Sequence, residues 1–384
     1  MSAPAASRSV PQARVQVLDF IRLVALLLMI QGHTMEALVD PAWIDQGTFH
    51  WRTWVHLRGL TAPMFLMVSG AASVLGIRTE PDGRLAPGVL RRRVRTAFLV
   101  LGVGYLLMFP ADRIIDLPWV SAELWRGFLQ VNILQANGAT LLLLTGLLAC
   151  TRGVRRYAAW SVAVGLLILA VNPLVNGVDW FHLLPEALAA YLSNWHGSTF
   201  PLFPASAFMF LGVGFGAVLR EAPAEARVRR FRQACLAGSA AFLALGLAAA
   251  REPARWFPPY EYYQGSHSYT CLRIGFALLI FALLAAVAER WPRLADAGAP
   301  LGRKSLQVYV VHLLLIYGSR WTDGFAEGRH HALTVAQGAA FVPVVGLVTF
   351  ALVLTWDALQ HKASCLGRVL QASAVLAVML ALVF

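Results

Sequence analysis

The sequence predicts an all-α fold: a polytopic transmembrane helical bundle of about eleven spans with a cytoplasmic N-terminus. The composition is 58% hydrophobic and only 14% charged, whereas a soluble domain carries about 25% charged residues. The charges cluster between long apolar runs, most of which approach the roughly 20 residues that a membrane helix needs. The ten-residue alternation that marks the strands of an outer-membrane barrel is absent.

The apolar runs divide the chain into a short tail and one membrane domain. Residues 1–14 contain Ala, Ser, Pro, Gln and two Arg and predict a disordered cytoplasmic tail. Residues 15–384 predict a single transmembrane domain without an internal repeat or an attached soluble domain. The predicted spans cover residues 17–38, 55–77, 96–110, 133–150, 157–172, 200–219, 233–250, 271–288, 305–320, 334–356 and 366–384.

Basic residues set the expected orientation of the bundle. With the N-terminus inside, 22 of the 32 Lys and Arg residues lie in the tail and in the connections on its side. Cytoplasmic connections are enriched in Lys and Arg, so the bias predicts an N-in, C-out protein. The net charge of +12 is then explained by topology. We expect membrane lipids, and not nucleic acid, as the charged partner.

Cysteines and the first span exclude three further features. The four cysteines are scattered along the chain without a CxxC pair, so neither a disulfide scaffold nor a zinc site is expected. We expect no metal. The first apolar run contains Asp19 and Arg22 and is too long for the apolar core of a cleavable signal peptide.

The first span carries four ionisable residues at helical spacing. Asp19 and Arg22 are three residues apart, as are His33 and Glu36. The eleven residues from Arg22 to His33 amount to nearly three turns, or about 16 Å along the axis, so all four residues share one face. Ionisable groups inside a membrane span are costly and usually functional. This face is therefore expected to line a cavity or another helix.

His33 is the candidate catalytic residue of this face. A histidine with a near-neutral pKa can act as a general base for a hydroxyl or amine that attacks a thioester, or as an acyl carrier. Arg22 suits a phosphate or carboxylate that arrives from the cytoplasm, and Asp19 would orient it or pair with it. The alternative is a structural polar stripe that packs the helix against its neighbours.

The second span carries candidates for the opposite, outer side. Pro63 leaves a backbone carbonyl about one turn earlier without its helical partner, while Ser69 and Gly70 allow close helix packing. His56 and Arg58 lie at the outer mouth and are candidate acceptor-binding residues. For Arg58, the alternative is a side chain that extends to the membrane interface.

Later segments add weaker signals. Ser305, Tyr309 and His312 share one face of the ninth span, and His312 is either a partner of the catalytic group or a core histidine with satisfied hydrogen bonds. The outer loops 173–199 and 251–270 are rich in Asn, Trp, Tyr and His. Such surfaces suit sugars but also ordinary loop packing.

These residues resemble two groups of polytopic membrane acyltransferases. Arg22 and His33 have ten residues between them, like the Arg/Lys-x10-His pattern of type-3 membrane acyltransferases. Three segments resemble the relatives of heparan-α-glucosaminide N-acetyltransferase: Asp19 to Arg22, Ala-Pro-Met-Phe-Leu at 62–66 with Ser69 and Gly70, and Phe-Pro-Leu-Phe-Pro at 200–204. A late-span motif common to both groups resembles Ser305 to Tyr309 and His312.

The resemblance implies transfer of an acyl group, most simply acetyl, from cytosolic acyl-CoA to a glycan or other acceptor across the membrane. It implies that His33 is catalytic together with Asp19, that Arg22 binds the donor, and that the protein is multi-pass in a bacterial inner membrane. Leu23 departs from the glycine usual in the family. The eukaryotic branch places its acting histidine in the first loop, so His50 stays open beside His33.

A transporter or flippase for an anionic or glycan solute is the rival function, with the same polar stripe as its path. The lack of an inverted repeat and of paired broken helices counts against it. The expected partners are acyl-CoA, membrane lipids and a glycan or small-molecule acceptor, and the sequence leaves a homo-oligomer open.

Overall fold

The computed structural model describes residues 16–80, 85–251, 257, 259–362, 373, 377, 380 and 381. The predicted tail at 1–14 lies outside the described residues, and so does nearly all of the predicted last span at 366–384. Within the described ranges the chain is helical, and its β-structure is limited to three isolated bridges.

The helices follow one another with short connections. They are Gln16–Leu38 (α1), Phe49–Gly59 (α2), Thr61–Leu75 (α3), Val89–Leu107 (α4), Ala122–Leu129 (α5), Ile133–Cys150 (α6), Val154–Asn176 (α7), Glu186–Ala189 (α8), Leu202–Glu221 (α9), Arg227–Ala249 (α10), Tyr262–Gly265 (α11), His267–Arg290 (α12), Pro292–Arg303 (α13), Ser305–Tyr317 (α14) and Val335–Lys362 (α15).

Eight helical segments among the described residues are long and apolar enough to cross a membrane. They include α1, the combined α2 and α3, and α6, α7, α9, α10, α12 and α15. The predicted all-α polytopic bundle is therefore confirmed. Two predicted spans fall outside the eight: α4 begins with four arginines, and α14 has only 13 residues. The count of eleven and the N-in orientation stay predictions.

Some helices begin earlier than the apolar runs that predict them. The helix α4 starts at Val89 and α10 at Arg227, six or seven residues before the expected spans. Arginine is a good helix former, so the helix continues through the basic residues beyond the apolar run.

Glycines allow α3 and α9 to pack backbone against backbone. A Cβ atom at Gly70 would overlap the carbonyl of Met209, and one at Gly212 would overlap the carbonyl of Met67. This close crossing confirms the close packing predicted from Ser69 and Gly70 of the second span. It fixes α3, which continues from α2, against the core of the bundle.

The helix α1 lies in the interior of the bundle. It contacts α3, α12, α13, α14 and α15, and Ile21, Ala25 and Leu26 are completely buried. A central helix of this kind can present polar residues only to other helices or to a cavity. Whether the polar residues at each end of α1 meet another helix or a cavity depends on the residues that surround that end.

Candidate active site

A cavity of about 690 Å³ opens at one end of the bundle. It is lined by the C-terminal halves of α1, α4 and α14, by the junction of α2 and α3, by the N-terminal ends of α6 and α12, and by the residues just before α9. This arrangement requires the helices to alternate in direction, as the predicted topology does. Its polar lining residues are His33, Glu36, Arg58, Thr61, Asn132, Gln135, Thr199, Tyr263, Gln264, Tyr269, Arg273, Tyr309 and Tyr317.

His33 lines the cavity and is held by Tyr317 at the end of α14. Its Nδ1 atom lies 3.3 Å from the Tyr317 hydroxyl, which also donates to the carbonyl oxygen of His33 at 3.4 Å. A phenol has a single hydrogen to donate, so with that hydrogen on the carbonyl, Nδ1–H of His33 is the donor to the phenol oxygen. The Nε2 atom then carries the free lone pair and makes no hydrogen bond to the described residues.

His312 lies beside His33 and is completely buried. The two rings have their centroids 5.5 Å apart. The Nδ1 atom of His312 lies 2.9 Å from the carbonyl oxygen of Val308 and donates to it. Its Nε2 atom is buried without a hydrogen-bond partner among the described residues. The alternative of a core histidine with satisfied hydrogen bonds therefore holds for only one of its nitrogens.

Arg58 crosses from α2 to the cavity face of α1. It forms an ion pair with Glu36, and its guanidinium lies 5.6 Å from the ring centroid of Trp54. A Cβ atom at Gly32 would come within 3.2 Å of the Cγ atom of Arg58, so the glycine leaves room for the arginine stem. Two predicted site residues, Arg58 and His33, are thus brought together.

The carbonyl freed by Pro63 is that of Gly59, four residues earlier. Proline has no N–H to donate to it, and Arg273 of α12 supplies the missing donors. The Nε and Nη2 atoms of Arg273 donate to the Gly59 oxygen at 3.1 and 2.8 Å. The predicted orphan carbonyl is confirmed, and its partner is an arginine that the sequence analysis does not single out.

Asp19 and Arg22 lie at the other end of α1 and do not line the cavity. The Nη1 atom of Arg22 donates to Oδ1 of Asp19 at 3.0 Å, which confirms that they pair. Asp19 is 5% exposed, and a Cβ atom at Gly302 of α13 would overlap its backbone carbonyl. The four-residue face thus divides into a packed half and a cavity half.

His56 and His50 both lie outside the cavity lining. His56 packs edge-on against Phe276 with ring centroids 5.0 Å apart, and its Nε2 atom is buried without a hydrogen-bond partner among the described residues. His50 is exposed at the start of α2, against Phe49. Neither histidine is placed beside His33.

The sequence analysis misses several cavity residues, chiefly Arg273, Gln135 and Tyr317. Arg273 is the one charged residue of the predicted span at 271–288, which lies in the most hydropathic candidate span, α12, and that isolation is a signal the sequence contains. Gln135 is completely buried, and both amide atoms lack a partner among the described residues. No group of three His, Cys, Asp or Glu that could hold a metal occurs within the described part of the chain.

The fold and the cavity define a class: a polytopic α-helical membrane protein with a histidine in a polar cavity at one end of the bundle. The family model described as heparan-alpha-glucosaminide N-acetyltransferase, catalytic, matches residues 14–246, which is more than half of the chain. The chain belongs to this family and is a membrane acyltransferase. A search of curated protein sequences finds no match. The matched region ends before α12 and α14, which supply Arg273 and Tyr317.

Proposed function

We propose that this protein transfers an acyl group, most simply acetyl, from cytosolic acyl-CoA to a hydroxyl or amine of a glycan or other acceptor across the bacterial inner membrane. The proposal rests on the position and hydrogen bonding of His33. It lines the cavity with Nδ1 bonded to Tyr317 and Nε2 without a partner among the described residues. Membership of an acyltransferase family supports the type of reaction.

His33 acts as the general base in this proposal. Its Nε2 atom takes the proton of the acceptor hydroxyl or amine while the acceptor oxygen or nitrogen attacks the thioester carbonyl. The new C–O or C–N bond replaces the C–S bond, and the proton passes from Nε2 to the departing sulfur, which leaves as CoA thiol. Positioned general bases contribute about 10²- to 10⁴-fold to such rates. An acyl-histidine intermediate stays open as the alternative role.

Asp19 and Arg22 belong to the donor side in this proposal. Arg22 is held by Asp19 at the end of α1 that the predicted topology places toward the cytoplasm. The guanidinium suits the phosphates of a CoA carrier. Asp19 orients the guanidinium, so we assign Asp19 the role of a positioning residue on the donor side.

Arg58 and His56 belong to the acceptor side in this proposal, with different roles. Arg58 lines the cavity and can contact an acceptor directly. His56 packs on Phe276, outside the cavity lining, so in this proposal it holds α2 against α12 and does not touch the acceptor. Amide and phenol groups such as Asn132 and Tyr263 supply further hydrogen bonds of the kind that sugars use.

Release of CoA by the purified protein tests the proposal. Wild-type protein in lipid nanodiscs is incubated with acetyl-CoA, and free thiol is followed with a thiol-reactive dye. We expect slow release that accelerates when amino sugars or hydroxylated sugars are supplied, with empty nanodiscs as the blank. If the protein neither binds acetyl-CoA nor releases CoA, the proposal is contradicted. The transporter alternative would then be the better supported function.

Labelling in intact cells tests the proposed orientation. Trp195 is half exposed in the connection between α7 and α9, and Arg92 is exposed at the start of α4. In a cysteine-free background, Trp195→Cys is expected to react with an impermeant maleimide and Arg92→Cys to be protected. The reverse pattern would invert the topology.

A further inference from the structure

Arg273 is an arginine of the cavity with unused donor capacity. Two of its nitrogens donate to the Gly59 carbonyl, and its guanidinium carbon lies 5.3 and 5.7 Å from the ring centroids of Tyr269 and Phe208. The third nitrogen, Nη1, makes no hydrogen bond to the described residues. A guanidinium has five N–H donors, so donors remain for a ligand.

No acidic side chain among the described residues balances the charge of Arg273. The other cavity arginine, Arg58, is paired with Glu36, whereas none of the ion pairs among the described residues includes Arg273. A cation inside a membrane span is costly unless an anion or a set of dipoles compensates it. The Gly59 carbonyl and the two aromatic rings near Arg273 carry no net charge. Because Glu36 neutralises Arg58, the positive charge of Arg273 leaves the cavity positive overall.

Arg273 and the proposed catalytic residue are linked through neighbouring residues of α1 and α2. Arg273 binds the carbonyl of Gly59, the residue after Arg58. The stem of Arg58 packs over Gly32, the residue before His33. All three charged or titratable side chains line the same cavity, so a ligand that meets Arg273 lies in the space that His33 faces.

We propose that Arg273 binds an anionic group, a carboxylate or phosphate, on the acceptor. This inference rests on the proposed function and narrows it: the acceptor is an acidic or phosphorylated sugar unit. Arginine suits this role because its planar fork matches the oxygens of carboxylates and phosphates. The Gly59 carbonyl and the two rings hold the fork in place before the ligand arrives.

The position of Arg273 favours the acceptor over the donor. It lies six residues into α12, within the first two turns of that helix. The same end of the bundle presents the exposed rings of Tyr263 and Tyr317 at the cavity. The proposed donor residue, Arg22, lies at the opposite end of α1, so the phosphates of CoA are expected there.

Equilibrium dialysis with labelled sugars tests this inference without requiring acyl transfer. The protein is placed in phosphatidylcholine nanodiscs and offered glucuronate, glucose 6-phosphate or neutral glucose. We expect wild type to bind at least one of the anionic sugars at least tenfold more tightly than glucose. Arg273→Gln keeps an amide donor for the Gly59 carbonyl but is expected to lose the preference, and Arg273→Lys to retain most of it.

Arg220 provides a matched control. It also donates from a neighbouring helix to backbone carbonyls, those of Val74 near the end of α3 at 2.9 Å and of Ile77 just beyond it at 2.7 Å, but it does not line the cavity. Arg220→Gln is expected to keep the wild-type preference. Equal loss in both variants would mean that helix packing, and not an anion site, is responsible, and would overturn the inference.

Three further results would overturn it. The first is a wild-type protein that binds glucose and the anionic sugars equally. The second is Arg273→Gln losing affinity for CoA while its sugar preference is unchanged. The third is displacement of the anionic sugar in nanodiscs that contain phosphatidylglycerol, which would make a lipid headgroup the occupant. CoA release that persists beside any of these results leaves the proposed function standing; loss of release as well removes both.

Discussion

The two ends of α1 carry similar residues in different surroundings. At one end Asp19 is paired with Arg22 and packed under Gly302 of α13. At the other end Glu36 is paired with Arg58 beside His33, and all three line a cavity of about 690 Å³. Charge inside a membrane span therefore does not by itself mark a reaction site. The presence of a cavity beside the charged residues distinguishes the candidate reaction site from the packed end.

Arg22→Ala is expected to have the largest effect on stability. It leaves the buried carboxylate of Asp19 without the arginine, and breaking such a pair costs about 3 kcal/mol or more. Thermal unfolding in detergent measures this as a lower Tm. The double variant Asp19→Leu with Arg22→Met removes both charges and is expected to recover most of the Tm. Affinity for acetyl-CoA that also recovers in the double variant would contradict a donor role for Arg22.

Gly302→Ala and Gly32→Ala compare the packing of the two ends. The new methyl group at Gly302 meets the backbone of Asp19, which cannot move aside, so we expect a loss of about 1–3 kcal/mol in the free energy of unfolding. At Gly32 it meets only the flexible stem of Arg58. Gly32→Ala is expected to lower acyl transfer with little change in Tm. Equal changes in Tm would contradict the contrast between a packed end and an open end.

Tyr317→Phe sharpens the assignment of the cavity end. The change removes the hydroxyl partner of Nδ1 of His33 and frees the imidazole tautomer. Of the two hydrogen bonds that the hydroxyl makes, the one that orients Nδ1 is worth about 1 kcal/mol, which predicts a kcat roughly five- to tenfold lower. We expect the KM for acetyl-CoA to stay near its wild-type value, since Tyr317 positions the base and is remote from the donor side. A rise in KM with unchanged kcat would refute this positioning role.

Glu36→Gln is expected to have the smallest effect on stability. The Glu36 side chain is 46% exposed, and solvent-exposed ion pairs contribute at most about 1 kcal/mol. The variant releases Arg58 from its partner, so binding of anionic sugars is expected to strengthen slightly. Equilibrium dialysis and Tm on the same preparation check both. A fall in Tm as large as that of Arg22→Ala would remove the contrast between the two ends.

The sequence predicts the membrane fold and the polar face of α1 well, because both depend on local periodicity. The predicted span at 133–150 coincides with α6, and the pairing of Asp19 with Arg22 follows from their spacing on one helix. The orphan carbonyl near Pro63 also follows from local chemistry. Each of these inferences needs only residues that are close in the chain.

The rest of the site depends on contacts between distant segments. Arg273 meets Gly59 across 214 positions, and Tyr317 meets His33 across 284, so helical spacing cannot reveal either. His56 and Arg58 are two residues apart on α2, so their side chains point about 160° apart around the helix axis. That geometry explains why Arg58 reaches the cavity while His56 packs on Phe276.

The central claim is that the chemistry takes place at the cavity end of α1, on His33. The most direct test is the rate of CoA release from acetyl-CoA by His33→Ala, with the exposed His50→Ala as the matched control and Tm measured on every sample. We predict a loss of at least about 100-fold for His33→Ala at unchanged Tm, and wild-type release for His50→Ala. Wild-type release from His33→Ala, or the loss falling on His50→Ala instead, would contradict the account.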